Sequence, residues 1–142
     1  MAGPLRMSLE EYRRQAGLPS LAQVERQEAK QPKKRRKFGN TPTDYESPLV
    51  GHMKYPSKKQ AERAKDLDLL WQAGEISWWL PEIPIRLKGY TETRQHIMRV
   101  DFLILWADGR LTWEDAKGIL TPAWELKRDL VADQYGITVE TV

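Results

Sequence analysis

Ile97-Met98-Arg99-Val100-Asp101-Phe102-Leu103-Ile104-Leu105-Trp106, then Ala107-Asp108-Gly109, then Arg110-Leu111-Thr112-Trp113-Glu114-Asp115-Ala116-Lys117 is the stretch whose reading decides the fold. Two apolar runs flank an Asp-Gly turn signal, so they read as paired strands, Ile97 to Trp106 and Leu111 to Lys117. The first carries Asp101. The second ends on Asp115 with Lys117 two residues on. A carboxylate on one strand and an acid-x-lysine on the next is the pattern of a Mg²⁺-dependent phosphodiesterase site: the acids hold the metal, and the lysine sits beside the water it activates. The tripeptide alone is common, since Glu28-Ala29-Lys30 and Glu125-Leu126-Lys127 share it. Position separates them, because only Asp115 closes a strand-like run preceded by a partner strand bearing another acid.

The turn allows two registers. If Asp108-Gly109 is a two-residue type I′ loop, Asp101 pairs with Ala116 and Asp115 points to the other face. If Ala107-Asp108-Gly109 is a type I turn with Gly109 as a bulge, Asp101 sits opposite Asp115, and Lys117 shares that face. A metal site requires the second register.

Outward from this hairpin, Ser57 caps a helix that runs to about Ala73 and is stopped by Gly74, with Ala61, Ala64, Leu67 and Trp71 on one face. Ile83 to Leu87 alternates as a strand. Thr121-Pro122 opens a helix to about Tyr135, Gly136 ends it, and Ile137 to Val142 alternates as a final strand. The order α-β-β-β-α-β predicts an α/β domain, a small mixed β-sheet flanked by helices, over residues 54–142. Residues 1–53 read as a basic, partly disordered arm and linker. Within them Ser8 and Glu11 form a capping box for a short helix ending near Gly17-Leu18-Pro19, and a second helix covers Leu21 to Ala29. Gln31 to Pro56 is basic, then rich in Pro, Gly, Thr and Ser, and reads as linker and loop.

With 142 residues the chain can bury a core without staples. It has no cysteine, which excludes disulfides and thiolate zinc sites and fits a cytoplasmic setting. His52 and His96 lie far apart, so a hard cation held by carboxylates is favoured over a histidine-bound transition metal. No apolar stretch reaches transmembrane length, and the N-terminus lacks a signal-peptide core. Residues 1–50 hold ten Lys/Arg against six Asp/Glu, whereas 51–142 hold thirteen against fourteen. The excess positive charge concentrates at Lys33, Lys34, Arg35, Arg36 and Lys37, either a solvated tail or a polyanion-binding arm. Lys58 and Lys59 flank a helix N-terminus, where dipole and amides favour phosphate. Four of the six tryptophans, Trp71, Trp106, Trp113 and Trp124, fall in expected helices or strands and read as core. Trp78-Trp79 reads as a loop before Pro81, packed under it or serving as a dimer contact or stacking wedge.

In this arrangement the chain resembles the PD-(D/E)xK nuclease superfamily and, within it, a family of small phage proteins related to endonuclease I-type Holliday-junction resolvases. The resemblance rests on Ser57-Lys58-Lys59-Gln60-Ala61, Ala73-Gly74-Glu75-Ile76, Val100-Asp101-Phe102, Glu114-Asp115-Ala116-Lys117-Gly118, Leu126-Lys127 and Tyr135-Gly136-Ile137, in unbroken order over about residues 54–142. It implies a restriction-endonuclease-like core, with Asp101 and Asp115 as metal ligands, the Ala116 carbonyl as a third and Lys117 as the catalytic lysine. It also implies Mg²⁺ as cofactor with Mn²⁺ as a substitute, branched DNA as substrate, a homodimer, and the host cytoplasm if the chain is phage-encoded. Lys127 matches a family lysine that reaches the scissile phosphate; otherwise it is an exposed helix lysine. The family's first-helix glutamate falls at Gln60, whose amide can still coordinate or orient a water but brings no charge. Glu62 is rotated by about 200° from Gln60, onto the opposite helix face. Glu114 faces away from Asp115 on an alternating strand and reads as a solvent-side or helix-pairing carboxylate. The competing functions are a non-catalytic nucleic-acid-binding protein with a decayed site and a small assembly protein whose basic arm docks on an acidic partner. Retention of Asp101, Asp115 and Lys117 together argues against both.

Overall fold

The computed structural model describes residues 7–31, 41–88, 96–116 and 120–142. Its elements in chain order are α1 (Leu9–Gln15), α2 (Leu21–Lys30), β1 (Thr43–Ser47), β2 (Gly51–Tyr55), α3 (Lys58–Gln72), β3 (Ile76–Leu87), β4 (His96–Trp106), β5 (Leu111–Asp115), α4 (Pro122–Tyr135) and β6 (Val139–Thr141). The class is mixed α/β, with four helices and two sheets among the described residues. From α3 onward the order is the expected α-β-β-β-α-β.

Local chemistry explains most boundaries. Ser8 and Glu11 form the reciprocal capping box at α1, and Ser20 with Gln23 repeats it at α2. The Ser57 hydroxyl accepts from the Gln60 amide, and Thr121 accepts from Trp124, with Pro122 in the first turn of α4. Gly136 ends α4 in the left-handed conformation, φ 68°, where a Cβ would be strained.

Two readings are corrected. Gln31 to Pro56 is not all loop: β1 and β2 make an antiparallel hairpin, with register running from Thr43↔Tyr55 to Ser47↔Gly51. Trp78-Trp79 is not in a loop, because β3 starts at Ile76 and includes both. Pro81 misled that reading; β3 also holds Pro84. They are tolerated because β3 is an edge of the four-stranded sheet, whose order is β3-β4-β5-β6. In that sheet β4 and β5 are antiparallel, and β5 and β6 are parallel.

The chain divides into two compact units, each drawing on separated segments. The first takes Met1–Pro32, Pro84–Met98 and Ile119–Thr138; the second takes Lys33–Ile83, Arg99–Gly118 and Val139–Val142. The β1–β2 hairpin groups with α3, and α1 and α2 group with α4.

In the second unit, α3 lays Ala61, Ala64 and Leu67 against Tyr55, Ile76, Trp79, Phe102 and Ile104. An acid completes this apolar face. Asp68, 3 % exposed, accepts hydrogen bonds from the Ser47 hydroxyl at 2.9 Å, the Trp79 indole at 2.9 Å and the Tyr45 hydroxyl. Three donors from β1 and β3 offset the cost of burying its charge and tie both elements to α3. In the first unit, α4 buries Ala123, Trp124, Leu126, Leu130 and Val131, while α2 buries Leu21 and Val24. Near the other end of α4, Asp133 accepts from the Leu9 amide at 2.8 Å and the Tyr135 hydroxyl donates to the Arg86 carbonyl. No helix among the described residues is long and apolar enough to cross a membrane.

Candidate active site

The β4–β5 turn settles the register. Gly109 donates its amide to the Trp106 carbonyl at 2.9 Å, and Trp106 donates to the Arg110 carbonyl at 2.9 Å. Gly109 has φ +92°, the left-handed conformation of a bulge that follows a type I turn. The pairs Phe102↔Glu114, Leu103↔Trp113, Ile104↔Thr112 and Leu105↔Leu111 follow. Continued by one residue, this register sets Asp101 opposite Asp115.

Which kind of pair this is follows from the same bonds. Trp106 donates to the Arg110 carbonyl in the hydrogen-bonded pair that closes the bulged turn, so hydrogen-bonded pairs recur at every second position inward, and Asp101/Asp115 falls at a non-hydrogen-bonded pair. There Cα atoms lie about 4.5 Å apart and side chains approach most closely. The Asp115 carbonyl is turned to the other neighbour, accepting from Val142 at 3.1 Å. Asp101 also holds the end of β5: its carboxylate accepts the Ala116 amide at 2.8 Å. Asp115 is fully buried (0 % exposed), and Asp101 is half-buried.

Glu114 shows what the opposite face does. The Arg63 guanidinium of α3 grips it with two hydrogen bonds of 2.8 Å each, from Nε and Nη2. The pair is the helix-pairing alternative of the sequence reading. Hydrogen bonding to Glu114 raises the Arg63 pKa above its ordinary value, against the opposing pull of burial. Phe102, Ile104 and Glu114 thus face α3, and pleat alternation carries Asp101 and Asp115 to the other side.

That placement separates the expected site residues. Gln60 is buried on α3, one turn before Arg63 and so on the helix face that meets Glu114. Glu62 is 60 % exposed and pairs with Lys58 at 3.9 Å, so the helix phasing read from the sequence places both correctly. The structure brings Asp101, Asp115 and Ala116 together and sets Gln60 on the helix that covers the reverse face. Lys117 and Lys33 to Lys37 lie outside the described residues. Lys58 and Lys59 stand exposed in the first turn of α3. Lys127, in the first unit, is engaged by the Glu25 carboxylate and the Ile97 carbonyl, each at 3.3 Å.

Two carboxylates are hard oxygen donors of the kind that suits a divalent cation. No group of three or more His, Cys, Asp or Glu able to hold a metal occurs among the described residues. Mg²⁺ does not require one, since it commonly binds through one or two carboxylates with waters and substrate phosphate filling the remaining positions.

Sequence reasoning missed Asp68 and Arg63. Asp68 had a signal: it follows Ala64 by four and Ala61 by seven, on the apolar face of its helix. Arg63 had none, because its partner is distant in sequence.

No family model, curated protein or solved structure matches the chain.

Proposed function

We propose that this protein is a metal-dependent endodeoxyribonuclease that hydrolyses phosphodiester bonds, with a restriction-endonuclease-like arrangement of α3, β3, β4, β5, α4 and β6. The observation that carries the reading is the β4–β5 register, which, continued one residue past Phe102↔Glu114, sets Asp101 opposite Asp115. Asp101 and Asp115 would hold Mg²⁺, or Mn²⁺ in its place, with the Ala116 carbonyl as the further ligand that the resemblance implies. When bound, the cation supplies Lewis-acid polarisation of a phosphate oxygen. Lys117, two residues after Asp115 in the sequence, is assigned the role of orienting the attacking water and stabilising charge developing at phosphorus.

Branched DNA is the proposed substrate, by the resemblance in the order and spacing of the motifs. A two-fold homodimer is the assembly that would cut two strands symmetrically. Lys58 and Lys59 contribute backbone contacts, and Lys33 to Lys37 a sequence-independent tether.

The test is incubation of the purified protein with a labelled four-way junction, a linear duplex and single-stranded DNA, with Mg²⁺ or with EDTA. Junction cleavage dependent on Mg²⁺ and lost in Asp101→Asn supports the reading. Binding without cleavage under every metal condition overturns it in favour of a nuclease-fold binder.

A further inference from the structure

The side of α4 that faces α2 carries donors that would suit a phosphate, and the chain's own carboxylates fill them. The Ala123 amide, in the first turn of α4, donates to Glu28 Oε1 at 2.8 Å. One turn on, Lys127 Nζ lies 3.3 Å from Glu25 Oε1, and the other oxygen of Glu25 lies 3.3 Å from Nδ1 of His96, a side chain only 6 % exposed. Glu25 and Glu28 are three apart on α2 and so share one face. A single acidic helix face therefore meets a helix N-terminal amide, a lysine and a buried imidazole, all within the first unit.

The joint is mainly polar. Helix α2 buries only Leu21 and Val24, and at ten residues it would be marginal alone. Helix α1, seven residues with none buried, adds the Leu9 amide on Asp133. Partly exposed ion pairs of this kind are each worth little, and they weaken as salt rises. The same donors on α4, amide and ammonium one turn apart, suit a phosphodiester oxygen as well as a carboxylate.

We infer that α2 is an autoinhibitory strap whose Glu25 and Glu28 carboxylates stand in for nucleic-acid phosphate on α4, so that DNA reaches Lys127 only when α2 is displaced. The inference rests on the nucleic-acid reading above and adds its regulation. It also assigns Lys127 two alternating partners: Glu25 in the free protein and phosphate in the complex.

The test measures binding of the full chain to a fluorescent four-way junction in EDTA, so that no cleavage intervenes. E25Q/E28Q should bind about fivefold more tightly than wild type, the change expected when a partly exposed ion pair to Lys127 and a carboxylate hydrogen bond to the Ala123 amide cease to compete. Loss of two negative charges favours DNA by itself, so the control is E46Q/E75Q, which removes the same charge from exposed positions without those contacts. Adding K127A to E25Q/E28Q should cancel the gain. A gain no larger than that of E46Q/E75Q, or one that survives K127A, overturns the strap. Hydrogen exchange of wild type supplies a readout that needs no variant to fold: amides 21–30 should lose protection when junction is added. Unchanged or increased protection there also overturns it. Failure of the nuclease reading looks different, since it appears as absence of cleavage with Mg²⁺ and leaves these binding results intact.

Discussion

Glu114 and Asp115 are neighbours on β5, both are buried, and they have opposite surroundings. Glu114 turns toward α3 and meets a guanidinium that satisfies both of its oxygens. Asp115 turns to the other face, where the continued register sets it opposite Asp101. Asp68, a third buried acid, resembles Glu114 in having its dedicated donors, here two hydroxyls and an indole. Burial of a carboxylate is therefore not in itself a mark of chemistry in this fold. Acids matched to donors on the α3 side build the unit. On the proposed reading, Asp101 and Asp115, opposite each other on the other face, would share a cation.

The contrast breaks most visibly at the aspartates. Asp101→Asn or Asp115→Asn should reduce Mg²⁺-dependent cleavage by about a thousandfold, roughly 4 kcal/mol of transition-state stabilisation, while junction binding in EDTA stays equal or rises. Lys117→Ala should lose activity with a smaller effect on metal affinity. Equal cleavage by all three variants and wild type would place the chemistry elsewhere.

Arg63→Ala tests the structural side. It leaves Glu114 buried without its cation, and thermal or urea unfolding should register a loss of about 2–4 kcal/mol, below the fully buried case because the Arg63 side chain is 24 % exposed. Replacing both partners, as Arg63→Met with Glu114→Leu, should recover most of that loss. If the double variant is as unstable as Arg63→Ala, the pair does more than satisfy itself.

Gln60→Glu sharpens the assignment of faces. A carboxylate at Gln60 would be buried on the α3 side near Glu114, so stability should fall by about 1–3 kcal/mol. The Mg²⁺ concentration for half-maximal cleavage should not move. A lower requirement would show that residue 60 reaches the aspartates and that the two faces are not separated as the pleat implies.

Legibility followed the range of each interaction. The β4–β5 hairpin, the α3 and α4 caps and the order of elements could be read because they depend on residues a few positions apart. The bulged register could be named as what a metal site needs, but Asp-Gly fits either turn, so only the backbone bonds of Trp106 and Gly109 decide it. The β1–β2 hairpin escaped because its inward side is Tyr45, Ser47, Met53 and Tyr55, half of it polar, and the anchor for Tyr45 and Ser47 is Asp68 on a different element. Gln60 was matched to the aspartates by its place in a motif. Which face of the sheet α3 covers is a tertiary fact that no spacing within the helix carries.

Tyr45 and Tyr55 give the smallest test, inside the α3 side itself. The Tyr45 hydroxyl donates to Asp68, whereas the Tyr55 hydroxyl is buried with no hydrogen-bond partner among the described residues. Burial is the largest cause raising both phenols to about 12, with Asp68 adding to each: for Tyr45 through its hydrogen bond and charge, for Tyr55 through charge alone. A phenol raised above its unfolded value near 10 contributes stability that is complete below that pH and lost as pH rises through about 12. Alkaline unfolding should therefore coincide with the appearance of tyrosinate absorbance from these two residues. Tyr45→Phe should cost about 1–3 kcal/mol, since it strips a donor from a buried carboxylate. Tyr55→Phe removes a buried polar atom that bonds to nothing, so it should be neutral or stabilising by up to about 1 kcal/mol and should move the alkaline transition upward. If Tyr55→Phe instead costs as much as Tyr45→Phe, its hydroxyl has a partner such as an ordered water, and the α3 side is as fully satisfied at Tyr55 as it is at Asp68.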